Sequence, residues 1–315
     1  TTFANVENLT GGAAADEFRF ADGATLTGTV AGGAGTDTLN LSAHASTTDT
    51  ALNTTLTGVD ADNGFAGSVV TGGAVTVTGF TGIDALVGSA DDGAGNDLGG
   101  DTTAVTDTLT GQNADSFVTV TGTGSGTYDD DDGVTGITAA ELAFSDVEAL
   151  QGGDQVDTFD IATDFDGSID GGANADIFNL TAGVAVVGGL SGGSTGIDED
   201  TLSIVNTGNT NTPQENDWAV TGTDSGTIDG QGLGAVSFTE MENLTGNARV
   251  DNFTFTGSLT GTASGGGNDD SFSIESETAT VGTIDGGDGT NDAVTYANQV
   301  CLLYTSDAAD DVSTV

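Results

Sequence analysis

Basic side chains are almost missing from this 315-residue chain: Arg19 and Arg249 are its only Lys or Arg residues, set against 49 acids, for a formal net charge of −47. A nucleic-acid partner needs several cationic groups to displace the counterions on phosphates, so that class is excluded. Anionic membrane surfaces repel such a chain for the same reason. No apolar run reaches the ~20 residues of a spanning helix, so direct membrane insertion is not expected. One cysteine, Cys301, rules out an internal disulfide. One histidine, His44, sits in an Ala/Ser/Thr stretch that reads as an exposed loop. With these few groups no Ser-His-Asp triad, zinc centre or phosphate loop can be assembled. The single proline, Pro213, falls in the polar loop TGNTNTPQEN. No signal peptide is recognisable, and Thr1 lies inside what reads as a repeat, so the chain is expected to be a fragment.

What the chain does have is glycine, 52 residues of it, and self-similarity. Three segments align closely: 6–41 (VENLTGGAAADEFRFADGATLTGTVAGGAGTDTLNL), 147–180 (VEALQGGDQVDTFDIATDFDGSIDGGANADIFNL) and 241–274 (MENLTGNARVDNFTFTGSLTGTASGGGNDDSFSI). A degenerate copy spans about 83–98. Segments beginning FVTVTGTGSGTYD at Phe117 and WAVTGTDSGTID at Trp218 precede the two later copies. Aligning Phe117 with Trp218 makes Trp218 a core position, while Tyr128 and Tyr296 remain as aromatics able to stack on sugars. Asn8 and Asn243, with Ala149 in the aligned place, read as a ladder position.

Inside each copy an aspartate returns at about one coil's length, Asp16 to Asp37, Asp157 to Asp176 and Asp251 to Asp270. Each follows a glycine-containing turn and precedes an apolar residue two places on, such as Phe18, Leu39, Phe159, Phe178, Phe253 and Phe272. Between the turns, Thr, Val and Phe alternate with period two, the pattern of half-buried strands. The best helical window, 139–150, overlaps the repeat and reads as strand and loop. The fold class that follows is all-β: a right-handed parallel β-helix or β-solenoid, one elongated repeat array over 1–300. At ~20 residues per coil it makes ~15 coils, a rod on the order of 70 Å long. Residues 301–315 break the pattern. Their start, CLLYTSDAADD, resembles a transposase-type sequencing adapter translated in one frame, so this tail is read as non-native.

The acids make cations the natural partners. Gly32-Gly33-Ala34-Gly35-Thr36-Asp37-Thr38-Leu39-Asn40 fits the Gly-Gly-x-Gly-x-Asp-x-Leu-x turn. Looser versions stand at 171–179, 265–273 and 286–292. These residues resemble the RTX-type and haemagglutinin-like β-repeat proteins of bacterial surfaces, although the nonapeptides never run in tandem here. The resemblance implies Ca²⁺ as the cofactor, held by oxygen ligands. Stacking of Asp16 on Asp37, Asp157 on Asp176 and Asp251 on Asp270 would supply paired carboxylates as its metal ligands. The other reading of the same six residues is that each accepts hydrogen bonds from its own turn. Catalysis is not expected, since acidic pairs are too common to single one out and basic residues to steady a polyuronate are missing.

The expected function is a structural or adhesive segment of a large secreted or surface-anchored bacterial repeat protein, located outside the cell. It would meet host or matrix glycans and proteins and pack against flanking repeats of its parent. The alternative is a Ca²⁺-binding RTX-like module of an exported toxin or enzyme, and the outsider is a polysaccharide-active β-helix.

Overall fold

A computed structural model describes residues 6–44, 51–59, 64–71, 74–89, 106–130, 141–193, 199–205, 215–230 and 235–297. The 301–315 tail, Pro213 and most of the degenerate copy lie outside them. Every regular element described is a strand, and the strands form two long walls, one of 15 strands and one of 12. The chain lays strands on the two walls in turn. Leu9–Thr10 and Leu26–Ala31 go to the larger wall, Glu17–Ala21 and Thr38–Ala43 to the smaller. Successive strands on one wall pair in parallel, with Leu9 opposite Val30 and Phe18 opposite Leu39. The expected β-solenoid is therefore what this sequence folds into.

Alternation decides which side chains face inward. In Asp157–Ile161 the residues Asp157, Phe159 and Ile161 are buried and Thr158 and Asp160 are not. Parallel register then stacks like on like, Phe159 opposite Phe178 and Phe178 opposite Leu202. Aromatic rungs result: Phe159 on Phe178 at 5.1 Å, and Trp218 on Phe253 on Phe272 at 5.2 and 4.9 Å between ring centres. No single coil can bury these rings alone, so the core exists only as a stack.

Three excursions interrupt the winding. At 52–83, 116–145 and 216–239 the chain runs forward, doubles back and runs forward again on one wall, forming three antiparallel-paired strands before it crosses over. They fall on the larger wall, the smaller and the larger again. These excursions explain the irregular long period, and they make strand rows outnumber coils. The FVTVTGTGSGTYD and WAVTGTDSGTID segments are the first hairpins of the second and third excursions.

The register corrects one alignment. Ser116 and Asn216 begin the two hairpins and pair with Asp157 and Asp251, so the counterpart of Trp218 is Val118, and Phe117 matches Asp217. Trp218 is buried as expected, but Phe117 lies on the outer face, 36% exposed. A one-residue slip reverses the face. Tyr128 is also buried, edge-on to Phe65, and its hydroxyl accepts the Gln112 N–H, so it is no sugar platform. His44 is not in an exposed loop. It is 4% exposed, and its Nε2 lies 3.0 Å from the Ala24 carbonyl, which draws the ring against the neighbouring turn. The asparagine ladder is real: Oδ1 of Asn8 accepts the Thr29 N–H and that of Asn243 the Thr262 N–H, each tying one coil to the next. The 141–150 part of the helical window is strand and turn.

Candidate functional site: two carboxylate spines

A strand begins at each corner where the chain crosses between walls, and at many of these corners an acid stands at the entry, the entries at Leu26, Gly189, Leu259 and Val281 being without one. All six aspartates singled out by the beat are of this kind. They line two spines, and adjacent rungs are joined by one repeated bond: the backbone N–H of one acid donates to the carboxylate of the acid on the next coil. At the entry to the smaller wall Asp16 donates to Asp37 (2.8 Å) and Asp37 to Asp84 (2.6 Å). Further along, Asp157 donates to Asp176, Asp176 to Asp200 (2.7 Å each) and Asp200 to Glu242 (2.9 Å). At the entry to the larger wall Asp107 donates to Glu148 (2.8 Å), Asp251 to Asp270 (2.8 Å) and Asp270 to Asp292 (2.9 Å).

The three expected pairs are thus adjacent, but the link within each is N–H to carboxylate. Nor do the side chains lean into water. Asp37, Asp157, Asp176 and Asp251 are 0% exposed and Asp270 is 1% exposed, while Asp16 is half-buried. The sequence reading missed Asp84, Asp107, Glu148, Asp200, Glu242 and Asp292 as rungs. A signal was available: Asp107, Glu148, Asp200 and Glu242 also stand two residues before an inward Leu (Leu109, Leu150, Leu202, Leu244).

The turns come in two forms. In the closed form the residue five positions after the start of the Gly-containing turn is an Asp whose Oδ2 accepts an N–H from that turn: Gly12 to Asp16 (2.5 Å), Gly153 to Asp157 (2.7 Å) and Asn247 to Asp251 (3.1 Å). In the open form the second glycine has positive φ, 103° at Gly33, 104° at Gly172 and 94° at Gly266. That conformation suits glycine, because a side chain at Gly172 would run into the Gly153 carbonyl of the coil below. The Gly172 N–H turns away and donates to Asp170 instead (3.0 Å). Consequently Oδ2 of Asp37, Asp176 and Asp270 is buried with no hydrogen-bond partner among the described residues. The open turns are those that fit Gly-Gly-x-Gly-x-Asp or its looser versions.

Two of the closed rungs, Asp157 and Asp251, have both oxygens occupied. Asp157 accepts from Ser116 Oγ and Gly153 N–H, and Asp251 accepts from Asn216 Nδ2 (2.9 Å), Trp218 Nε1 (2.8 Å) and Asn247 N–H. Burial nevertheless pushes Asp251 above the usual carboxylate range and Asp157 up to about 6. Asp176 is pushed up to about 8, first by burial and then by the negative charges of Asp157, Asp200 and Asp170. Asp270 rises to about 6, by burial and then by Asp251, Asp292 and Asp269.

Beside the first spine, a groove of about 390 Å³ runs over the turns, bordered by Thr110, Asn113, Gln151, Asp154 and Asp170 and by the turn glycines. Among the described residues no three His, Cys, Asp or Glu side chains are gathered as a metal site would need. The architecture defines the class, a two-walled β-solenoid with hairpin excursions and carboxylate spines. The chain matches no protein-family model and no curated protein sequence.

Proposed function

We propose that this chain is a rigid structural and adhesive segment of a larger bacterial repeat protein, secreted or held at the cell surface. The observation that supports this most is the continuity of the walls: 15 strands on one and 12 on the other follow each other in unbroken hydrogen-bonded order. Rows spaced ~4.8 Å apart make the longer wall about 70 Å, the dimension of a spacer. The outward positions support the adhesive part. Asn252 and Thr254 stand beside Ser271 and Ser273 on the neighbouring strand, so small hydroxyl and amide groups repeat at fixed intervals where a glycan or matrix protein could meet them. The net charge of −47 makes cations the companions of this surface and keeps it hydrated.

Electron microscopy of the purified chain, a glycan array and a calcium titration of its thermal melt test the reading together. The expected results are rods about 70 Å long, binding to some arrayed glycans and a melting temperature that calcium moves little. A large calcium stabilisation would transfer the chain to the Ca²⁺-loaded RTX-like class, since a ligand that binds only the folded state raises stability by mass action. Compact particles, or release of sugars from a polysaccharide, would end the spacer reading.

A further inference from the structure

Large apolar side chains on the outside of a solenoid add nothing to its core, and seven are exposed among the described residues. Val6, Val294 and Tyr296 lie in the first and last described coils, and Val187 stands in a turn. The other three, Phe117, Val156 and Ile177, are 36%, 38% and 38% exposed and surround one residue of the smaller wall, Thr158. Phe117 pairs with Thr158 and Thr158 with Ile177, while Val156 stands two residues before Thr158 on the same outward side. With rows ~4.8 Å apart, the column from Phe117 to Ile177 spans about 10 Å. A polar column runs about 7 Å to one side of it, two residues further along each strand. It holds Thr119, Asp160 and Asn179, and Asn179 Nδ2 donates to Asp160 Oδ1 at 2.7 Å.

The fold does not require apolar residues at these places. The third excursion builds the same ladders on the larger wall, and there the matching column is Asp217, Asn252 and Ser271. That column closes on itself: Asn252 Nδ2 donates to Asp217 Oδ1 (3.0 Å) and Ser271 Oγ to Asn252 Oδ1 (2.7 Å). Polar side chains serve the architecture there. Holding a ring and a branched chain against water at Phe117 and Ile177 is unfavourable and gains no core packing in return. An exposed apolar cluster of this kind marks a contact surface.

We propose that this strip of the smaller wall is a binding site for a neutral polysaccharide, with the Phe117 ring as its stacking surface and Asp160 and Asn179 as its hydrogen-bonding edge. The inference rests on the adhesive reading above and gives it a particular site.

Shape, size and charge together select that occupant. A pyranose has an apolar C–H face and a rim of hydroxyls, and the strip offers an apolar column with acceptors and donors beside it. Sugar hydroxyls donate to the Asp160 carboxylate and accept from the Asn179 amide. A column of about 10 Å accommodates a disaccharide, whereas a stable protein partner needs about 800 Å² on this side. Three partly covered side chains fall far short of that area. Asp129 pairs with Phe117, Asp115 accepts the Val156 N–H, and neither arginine lies on these strands, so uronate and sulfated chains are repelled. A polycation would find acids over the whole chain and has no need of an apolar column.

The test is calorimetric titration of the whole chain with neutral oligosaccharides of glucose, mannose and galactose, and with an oligogalacturonate. At least one neutral probe should bind, and the uronate should not. The double variant Phe117→Asp, Ile177→Ser carries the residues that the third excursion has at these places. It should bind that probe at least about tenfold more weakly, the size of losing one stacked ring from a contact. Its thermal midpoint should stay near wild type, because both side chains point outward. Phe117→Tyr keeps the ring and should retain most of the affinity. If a neutral probe binds wild type and the double variant alike, or if the uronate binds better, this site is overturned and the adhesive reading stands. If no neutral probe binds, the site is overturned, and the adhesive reading falls with it only when the glycan array is blank as well. If the double variant does not fold, Phe117 and Ile177 serve the architecture and the proposal is overturned.

Discussion

Glycine is placed here by the oxygen it has to admit. The Oδ2 of Asp176 packs where a Cβ on Gly171 would be, and the Gly192 carbonyl lies 2.5 Å from the same point. Both neighbours are locked, one as a spine rung and the other as backbone, so neither can yield. Gly171→Ala should therefore cost about 1–3 kcal/mol through overpacking. Gly23 offers the contrast. Its φ is +67° and nothing stands within 4 Å of an added Cβ, so Gly23→Ala should cost only the left-handed conformation, about 1–2 kcal/mol. Urea titrations of the two variants, with and without a second substitution Asp176→Ala, separate the causes. Removing the carboxylate should relieve part of the Gly171→Ala penalty and none of the Gly23→Ala penalty. Equal behaviour of both variants would mean that backbone conformation alone selects these glycines.

At the scale of the element, inward rows are shared property. Phe253 lies between Trp218 and Phe272 in a stack with planes 9° and 6° apart. Phe253→Ala should cost about 3–5 kcal/mol because it removes the middle ring of three and the flanking coils cannot collapse into the gap without breaking the parallel ladders. A denaturation midpoint close to wild type would show that the coils do close up. These elements were legible in the sequence to different degrees. The aspartate beat and the Thr/Val/Phe alternation disclosed the strands, the coil length and the stacking of Asp157 on Asp176, because one acid and one inward apolar residue recur at each strand entry. The hairpin excursions were not legible as such. A strand that doubles back alternates like one that climbs, and only the repeated Gly-Thr-x-Ser-Gly of 122–126 and 222–226 marks the reversal. The spine was half legible. Asp200 and Asp107 hid because each stands farther along the sequence from the glycine pair before it than the repeat aspartates do, and Glu148 and Glu242 because a longer side chain fills the same rung. The burial of His44 had no signal, since it depends on a turn, at Ala24, from the neighbouring coil.

For the molecule as a whole, the spines and the outer surface pull in different directions. Inside, acids are consumed as acceptors and ordered one above another. Outside, the exposed acids face water with almost no cationic partners: the ion pair of Arg19 with Glu17, at 2.9 Å, is exposed and of small consequence. A net charge of −47 concentrated on a rod repels itself, and the unfolded chain, being more expanded, repels itself less. Salt should therefore stabilise the fold. Raising sodium chloride from about 0.01 M to about 1 M shortens the screening length from about 30 Å to about 3 Å, below the spacing between neighbouring rows. Thermal midpoints should climb steadily over that range, and potassium should serve as well as sodium because screening does not distinguish them. The buried rungs are screened far less, so Asp176→Asn should keep the same salt response. A midpoint that is flat in monovalent salt would show that the surface charge is already neutralised by bound ions.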